Sequence, residues 1–107
     1  MEDNEFNISE VPPGSALLVE ASGESIAVFN VDGVFYATQA ECTHKRGPLD
    51  EGELDGSTLT CPYHGAQFDV STGKVLRGPA EIPLLTYRVE VDGAIGRVQV
   101  PNRSFEH

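Results

Sequence analysis

Ile26-Ala27-Val28-Phe29-Asn30-Val31-Asp32-Gly33-Val34-Phe35-Tyr36-Ala37-Thr38 is the stretch whose reading decides the fold. Two runs rich in β-branched and aromatic residues flank Asp32-Gly33, a pair that tolerates positive φ at both centres of a type I′ hairpin turn. Ile26 to Val31 and Val34 to Thr38 therefore read as neighbouring antiparallel strands. Outward from this hairpin, Ala16 to Glu20, Ser57 to Thr60, Gln67 to Val70, Leu84 to Val91 and Ile95 to Val100 have the same composition. Asp55-Gly56 and Asp92-Gly93 mark two further hairpins of the same turn type. Ser71-Thr72-Gly73 supplies a longer turn, and Pro12-Pro13-Gly14 interrupts the chain ahead of the first strand. No segment keeps a helical period over ten or more residues. The chain is thus expected to be all-β with about seven strands. Residues 39–56 and the tip Cys61-Pro62-Tyr63-His64-Gly65 are expected to be loops, and the polar tail from Pro101 to His107 is expected to fray.

A length of 107 residues with 39% hydrophobic content predicts one domain, 1–107. Seventeen acidic residues against seven basic give a formal charge of −10. Such a charge repels nucleic acid and anionic membranes and favours basic protein surfaces as partners. The acidic start Met1-Glu2-Asp3-Asn4-Glu5 leads into no long apolar run, so no export signal is expected. Nor does any stretch approach the roughly 20 apolar residues needed to cross a bilayer. These features predict a cytoplasmic location, where the chain's two cysteines serve metal or redox chemistry rather than a disulfide.

The cysteines and two of the three histidines fall in two short clusters, Cys42-Thr43-His44 and Cys61-Pro62-Tyr63-His64, each on a loop flanked by glycine and proline. Thiolate and imidazole together suit iron-sulfur centres, zinc or copper. Blue copper would want an axial methionine, and Met1 is the only methionine. For zinc, the single residue between Cys42 and His44 is a short spacing for gripping one tetrahedral ion, and a zinc-stapled binding module stands as the alternative. A binuclear cluster removes the difficulty, because each loop gives one residue to each metal: Cys42 and Cys61 to one iron, His44 and His64 to the other.

Cys42-Thr43-His44 and Cys61-Pro62-Tyr63-His64-Gly65 resemble the two binding boxes of the Rieske family, in which two histidines replace two cysteines on one iron of a [2Fe-2S] cluster. The likeness extends to Gly47-Pro48-Leu49, to Phe68-Asp69-Val70 with Thr72-Gly73, and to Gly78-Pro79-Ala80, which resembles the family's proline loop. It covers residues 10 to 100. It implies an antiparallel β sandwich of small sheets, with a cluster-binding subdomain at about 40–80 at one end. Cys42, His44, Cys61 and His64 are the implied cluster ligands. Where respiratory and photosynthetic relatives carry an extra disulfide, this chain has Gly47 and Tyr63. Where those relatives have a serine and a tyrosine as hydrogen-bond donors to the cluster, it has Ala66 and Phe68. Fewer donors place the potential toward the low end of the roughly −150 to +300 mV Rieske range.

A short chain with neither disulfide nor anchor is similar to the Rieske ferredoxins of ring-hydroxylating dioxygenase systems. That likeness implies a soluble, monomeric one-electron carrier between a flavoprotein reductase and a terminal oxygenase, and not an enzyme in itself. A small subunit of a larger reductase, such as nitrite reductase, is the second role the resemblance admits. Lys45, Arg46 and Arg77 near the boxes, and the acidic run Asp50, Glu51, Glu53 and Asp55, read most simply as solvated charges, with docking as the functional alternative. Phe29, Phe35, Tyr36, Phe68 and Tyr87 read as core.

Overall fold

The computed structural model describes residues 4–21, 23–41, 48–62, 65–78 and 82–99. In chain order its strands are β1 (Glu5–Asn7), β2 (Ala16–Ala21), β3 (Glu24–Val31), β4 (Val34–Gln39), β5 (Glu53–Asp55), β6 (Thr58–Thr60), β7 (Gln67–Asp69), β8 (Val75–Arg77), β9 (Thr86–Asp92) and β10 (Ile95–Gln99). Two single-turn 3-10 segments, Ile8–Glu10 and Leu49–Glu51, are the helical pieces among the described residues. No helix there is long and apolar enough to cross a membrane.

The deciding hairpin forms as its sequence dictates. Val31 lies opposite Val34, and Asp32 and Gly33 between them take φ of +51° and +93°. Both centres of the turn are thus left-handed, as type I′ requires. The other two Asp-Gly hairpins also form, with the turn one residue later than expected. Asp55 pairs with Thr58 and Asp92 with Ile95, so each aspartate stays in its strand. The central residues are Gly56-Ser57 and Gly93-Ala94, where only the glycines have positive φ, +61° and +62°. That is the pattern of type II′, which needs glycine at the first central position alone.

The strands make a six-stranded sheet, β1-β10-β9-β4-β3-β2, and a four-stranded sheet, β5-β6-β7-β8. All pairings are antiparallel. β3 explains how they are held together, since Ile26, Ala27, Val28, Phe29 and Asn30 are all buried. A strand buried on both faces reads as a continuous apolar run rather than an alternation. Ala27 and Phe29 face a core shared with Leu49, Leu59, Cys61, Ala66, Phe68, Val70 and Leu84. Ile26 and Val28 face a second core with Phe6, Val11, Val19, Ala37, Tyr87 and Val98. The one polar residue in the run, Asn30, is satisfied: its Nδ2 donates to the Val11 carbonyl at 2.6 Å, and its Oδ1 accepts from Gly33 N at 2.7 Å.

Three strands, β1, β5 and β8, lie outside the sequence-based expectation, and β5 corrects the reading of 39–56 as a loop throughout. Each is three residues long and sits at a sheet edge. In Glu53-Leu54-Asp55 the acidic side chains are exposed and only Leu54 is partly buried, so three residues offer too little alternation to be seen. β1 holds on through side chains. Phe6 lies opposite Gly96, and Asn4 Nδ2 donates to the Val98 carbonyl at 2.9 Å. Arg97 Nε donates to Glu5 Oε2 at 3.0 Å. A Cβ at Gly96 would fall 2.3 Å from the Phe6 ring. Gly96→Ala is therefore expected to lift Phe6 off β10 at a cost of roughly 1–3 kcal/mol. Chemical denaturation of the two proteins checks this, and an unchanged midpoint would mean that Phe6 has somewhere else to go.

Candidate metal centre

Cys61, of the second Cys-His cluster, directly follows β6, which forms a hairpin with β7. Leu59 pairs with Phe68 and Thr60 with Gln67, and Cys61 N then donates to the Ala66 carbonyl at 2.7 Å, the last described bond between the two limbs. Gly65 completes the reversal at φ +74°. Cys61 is 2% exposed and Ala66 fully buried, whereas Pro62 is exposed, so the chain leaves the core immediately after the cysteine. The hairpin limbs expected on either side of that loop are thus present, with the thiol-bearing residue at the end of one of them.

The first cluster is framed from both sides. Ala40 N donates to the Ser25 carbonyl at 3.1 Å, Glu41 and Pro48 form an antiparallel bridge, and Leu49 N donates to the Ala40 carbonyl at 2.8 Å. These contacts hold Ala40 and Glu41 against Pro48 and Leu49. Leu49 and Ala40, which flank residues 42–47, belong to the same buried core as Cys61 and Ala66, which flank residues 62–65. The limbs also touch through backbone. A Cβ at Gly52 would lie 2.5 Å from the Thr60 carbonyl oxygen, so only glycine lets β5 start this close to the strand leading into Cys61. Sequence reasoning passed over Gly52, whose setting between Glu51 and Glu53 reads as an ordinary turn.

Of the four residues expected to bind metal, Cys61 lies among the described residues, and Cys42, His44 and His64 lie outside them. Lys45, Arg46, Gly47, Tyr63, Pro79, Ala80 and the tail from Pro101 are also outside. Glu51, Glu53, Asp55 and Arg77 are exposed, in keeping with solvated charges. Phe29, Phe68 and Tyr87 are buried as expected, and Phe35 and Tyr36 are partly so.

The chemistry of the described surroundings fits a sulfur-rich metal group. Around Cys61 the core is Ala66, Leu59, Phe68, Leu49 and Ala40. Among the described residues no buried side-chain nitrogen or oxygen lacks a hydrogen-bond partner. The described core therefore offers no idle hard donor that would compete with soft sulfur for the metal. Ala66 and Phe68, both fully buried, bring no hydroxyl to it.

Residues 4–88 match the family described as Rieske [2Fe-2S] domain. The biphenyl dioxygenase ferredoxin subunit of Pseudomonas sp. (strain KKS102) is 46% identical over 88 residues, covering 81% of this chain and 81% of that protein. Among solved structures, the ferredoxin of Sphingomonas yanoikuyae B1 has a TM-score of 0.86 at 31% identity, over 94% of this chain and 100% of that one. A chain from the complex of reduced oxygenase and oxidized ferredoxin in carbazole 1,9a-dioxygenase has a TM-score of 0.82 at 38% identity, over 87% of this chain and 96% of its own.

Proposed function

This chain belongs to the Rieske [2Fe-2S] domain family and carries one such cluster, and from that premise we propose its ligands and its partners. Cys42 and Cys61 bind one iron and His44 and His64 the other. The observation that supports this assignment is the common seat of the two loops. Ala40 and Leu49, which flank the first cluster, share one buried core with Cys61 and Ala66 of the second, and this common core supports a single binding site for both. Residues 40–80 act as the cluster-binding part of a single domain, 1–107.

The bound cluster supplies one-electron exchange and makes no bond in a substrate. The chain's own work is to hold sulfur and imidazole at fixed positions and to exclude water around Cys61. In this reading it is a monomeric, cytoplasmic electron carrier that receives electrons from a flavoprotein reductase and delivers them to the terminal oxygenase of a ring-hydroxylating dioxygenase. The 46% identity to a dioxygenase ferredoxin subunit supports this role over that of a subunit in a larger reductase. The net charge of −10 favours partners with basic docking surfaces.

The test is an electron paramagnetic resonance spectrum of the dithionite-reduced protein, with iron and acid-labile sulfide analysis, followed by reduction with a reductase and reoxidation by an oxygenase. A rhombic signal of low average g, with iron and sulfide in equal amounts, is expected. A silent spectrum with stoichiometric zinc would overturn the assignment.

A change of potential follows from Ala66 and Phe68. A hydroxyl donated to the more negative reduced state stabilises it over the oxidised state. A difference of about 1.4 kcal/mol corresponds to about 59 mV for one electron. The Ala66→Ser, Phe68→Tyr double variant is expected to rise by at least that much, as redox titration would show. An unchanged potential would mean that neither position addresses the cluster.

A further inference from the structure

We propose that Gln39 is a positioning residue for the cluster, acting as a tie that holds Glu41, the residue before Cys42, against Leu85. This inference rests on the ligand assignment above. The pairing of β4 with β9 runs Ala37 to Tyr87 and Thr38 to Thr86, and the next rung would join Gln39 to Leu85. Half of that rung is made in the usual way, with Gln39 N donating to the Leu85 carbonyl at 3.0 Å. The other half is diverted. Leu85 N donates at 2.8 Å to the side-chain Oε1 of Gln39, in place of its main-chain carbonyl. That carbonyl accepts instead from the hydroxyl of Thr38, a fully buried residue, at 2.8 Å.

The diversion lets the chain turn out of the sheet at residue 40 without leaving a main-chain group unsatisfied, which is a condition for bending a ladder beside a core. The same side chain makes a second bond outward: Gln39 Nε2 donates to the Glu41 carbonyl at 2.8 Å. Glu41 is directly followed by Cys42. One amide therefore grips Glu41, the residue before Cys42, with its nitrogen and Leu85, five residues beyond Ala80, with its oxygen.

Leu85 is in turn tied to the second ligand loop's own sheet. Its neighbour Leu84 donates N–H to the Gly73 carbonyl at 2.8 Å, and Gly73 N donates to the carbonyl of Asp69 at the end of β7 at 2.6 Å. The dipeptide Leu84-Leu85 bridges the limb that enters the first box and the turn that follows the second. Gln39 is the side chain that completes the bridge. It is also partly exposed and lines a shallow groove with Glu24, Ser25, Ala40, Glu41, Leu85 and Tyr87, so its loss need not hollow out a core.

The two hydrogen bonds close the limb that leads into Cys42 onto Leu85. Without them local opening of the loops is expected to become about tenfold more frequent or greater. The experiment compares cluster-loaded wild type, Gln39→Ala, Gln39→Glu and Val98→Ala. Three quantities are read: release of iron to excess bathophenanthroline, amide hydrogen exchange at Leu85, and the paramagnetic resonance line shape.

Gln39→Ala is expected to release iron about tenfold faster, to lose protection at Leu85 and to alter the g anisotropy. Gln39→Glu keeps an acceptor for Leu85 N but no donor for Glu41, so it should restore protection at Leu85 while iron release stays fast. Val98→Ala weakens the other core and serves as the control for general destabilisation. If Val98→Ala, matched in stability loss, releases iron as fast as Gln39→Ala, or if loaded Gln39→Ala matches wild type in all three readouts, the tie is overturned. An unmodified chain that holds no cluster would overturn the ligand reading itself, and this inference with it.

Discussion

Cys61→Ser is expected to yield a folded protein without visible colour and without the paramagnetic signal. Cys61 stands at the base of the hairpin tip with 2% of its surface exposed, its backbone fixed by the bond to the Ala66 carbonyl at 2.7 Å. A serine there occupies a similar volume but presents a hard oxygen where a soft thiolate is wanted. Supporting residues one step removed from a metal already change affinity about 10–100-fold, so loss of a ligand should weaken retention by about a hundredfold or more. Iron and sulfide analysis after anaerobic reconstitution checks the result, with circular dichroism to show that the sheets persist. Cys61→Ala belongs beside it, because a buried serine hydroxyl without a partner costs about 1–3 kcal/mol by itself. Full iron content in either variant would remove Cys61 from the ligand set.

The largest expected loss of stability from a single methyl group is at Gly73. Asp69 organises the turn after β7: its Oδ1 accepts from Ser71 N at 2.9 Å and from Ser71 Oγ at 2.6 Å. Gly73 closes the turn at φ +82°, where a Cβ would stand 2.3 Å from the Leu84 carbonyl oxygen and 3.0 Å from Thr86 Cγ2. The left-handed backbone costs a side chain about 1–2 kcal/mol. The overlap is with main chain that cannot step aside without breaking the Leu84 bond. Together these effects make Gly73→Ala cost roughly 3 kcal/mol or more, a fall in Tm on the order of 12–24 °C for a chain of this size. Gly14→Ala is the comparison, since Gly14 has φ +84° but nothing within 4 Å of its Cβ position. It should lose only about 1–2 kcal/mol. Equal losses at both sites would show that the crowding at Leu84 has no weight.

What the sequence made legible was the interior and the one long edge strand, β2, and what it hid was the three-residue strands at the rim. β3 announces itself because its burial on both faces demands a continuous apolar run, and β4 and β9 through their length and their β-branched and aromatic residues. β1, β5 and β8 border the two sheets, where one side of each strand has no neighbour and three residues suffice. Edges are also where charge is placed to discourage unwanted pairing, so Glu53 and Asp55 on β5 look like loop residues for a sound physical reason. The two late turns have a similar origin. An Asp-Gly pair fits two turn types, and the choice depends on cross-strand register, which local sequence does not contain. At the centre, the Cys-His spacing pointed to the two loops and to the family. The Gly52 approach to Thr60 and the Gln39 bonds join residues through distances in space, and no periodicity or motif encodes them.

β3 has a consequence for how this protein comes apart. Its alternate side chains belong to different cores, so neither core can dissolve without stripping one face of a strand that the other still needs. An intermediate with one half melted would present Phe29, or else Ile26 and Val28, to water while the hydrogen-bond ladders on both flanks stayed intact. Such a species gains little chain entropy for the apolar surface it exposes. Urea should therefore unfold the chain in a single cooperative transition whether fluorescence of the tyrosines or colour of the cluster is followed. In assembly the same strand would work in the opposite direction: a β3 seated by Ile26 and Val28 in the second core already holds Ala27 and Phe29 in line for the core that contains Cys61.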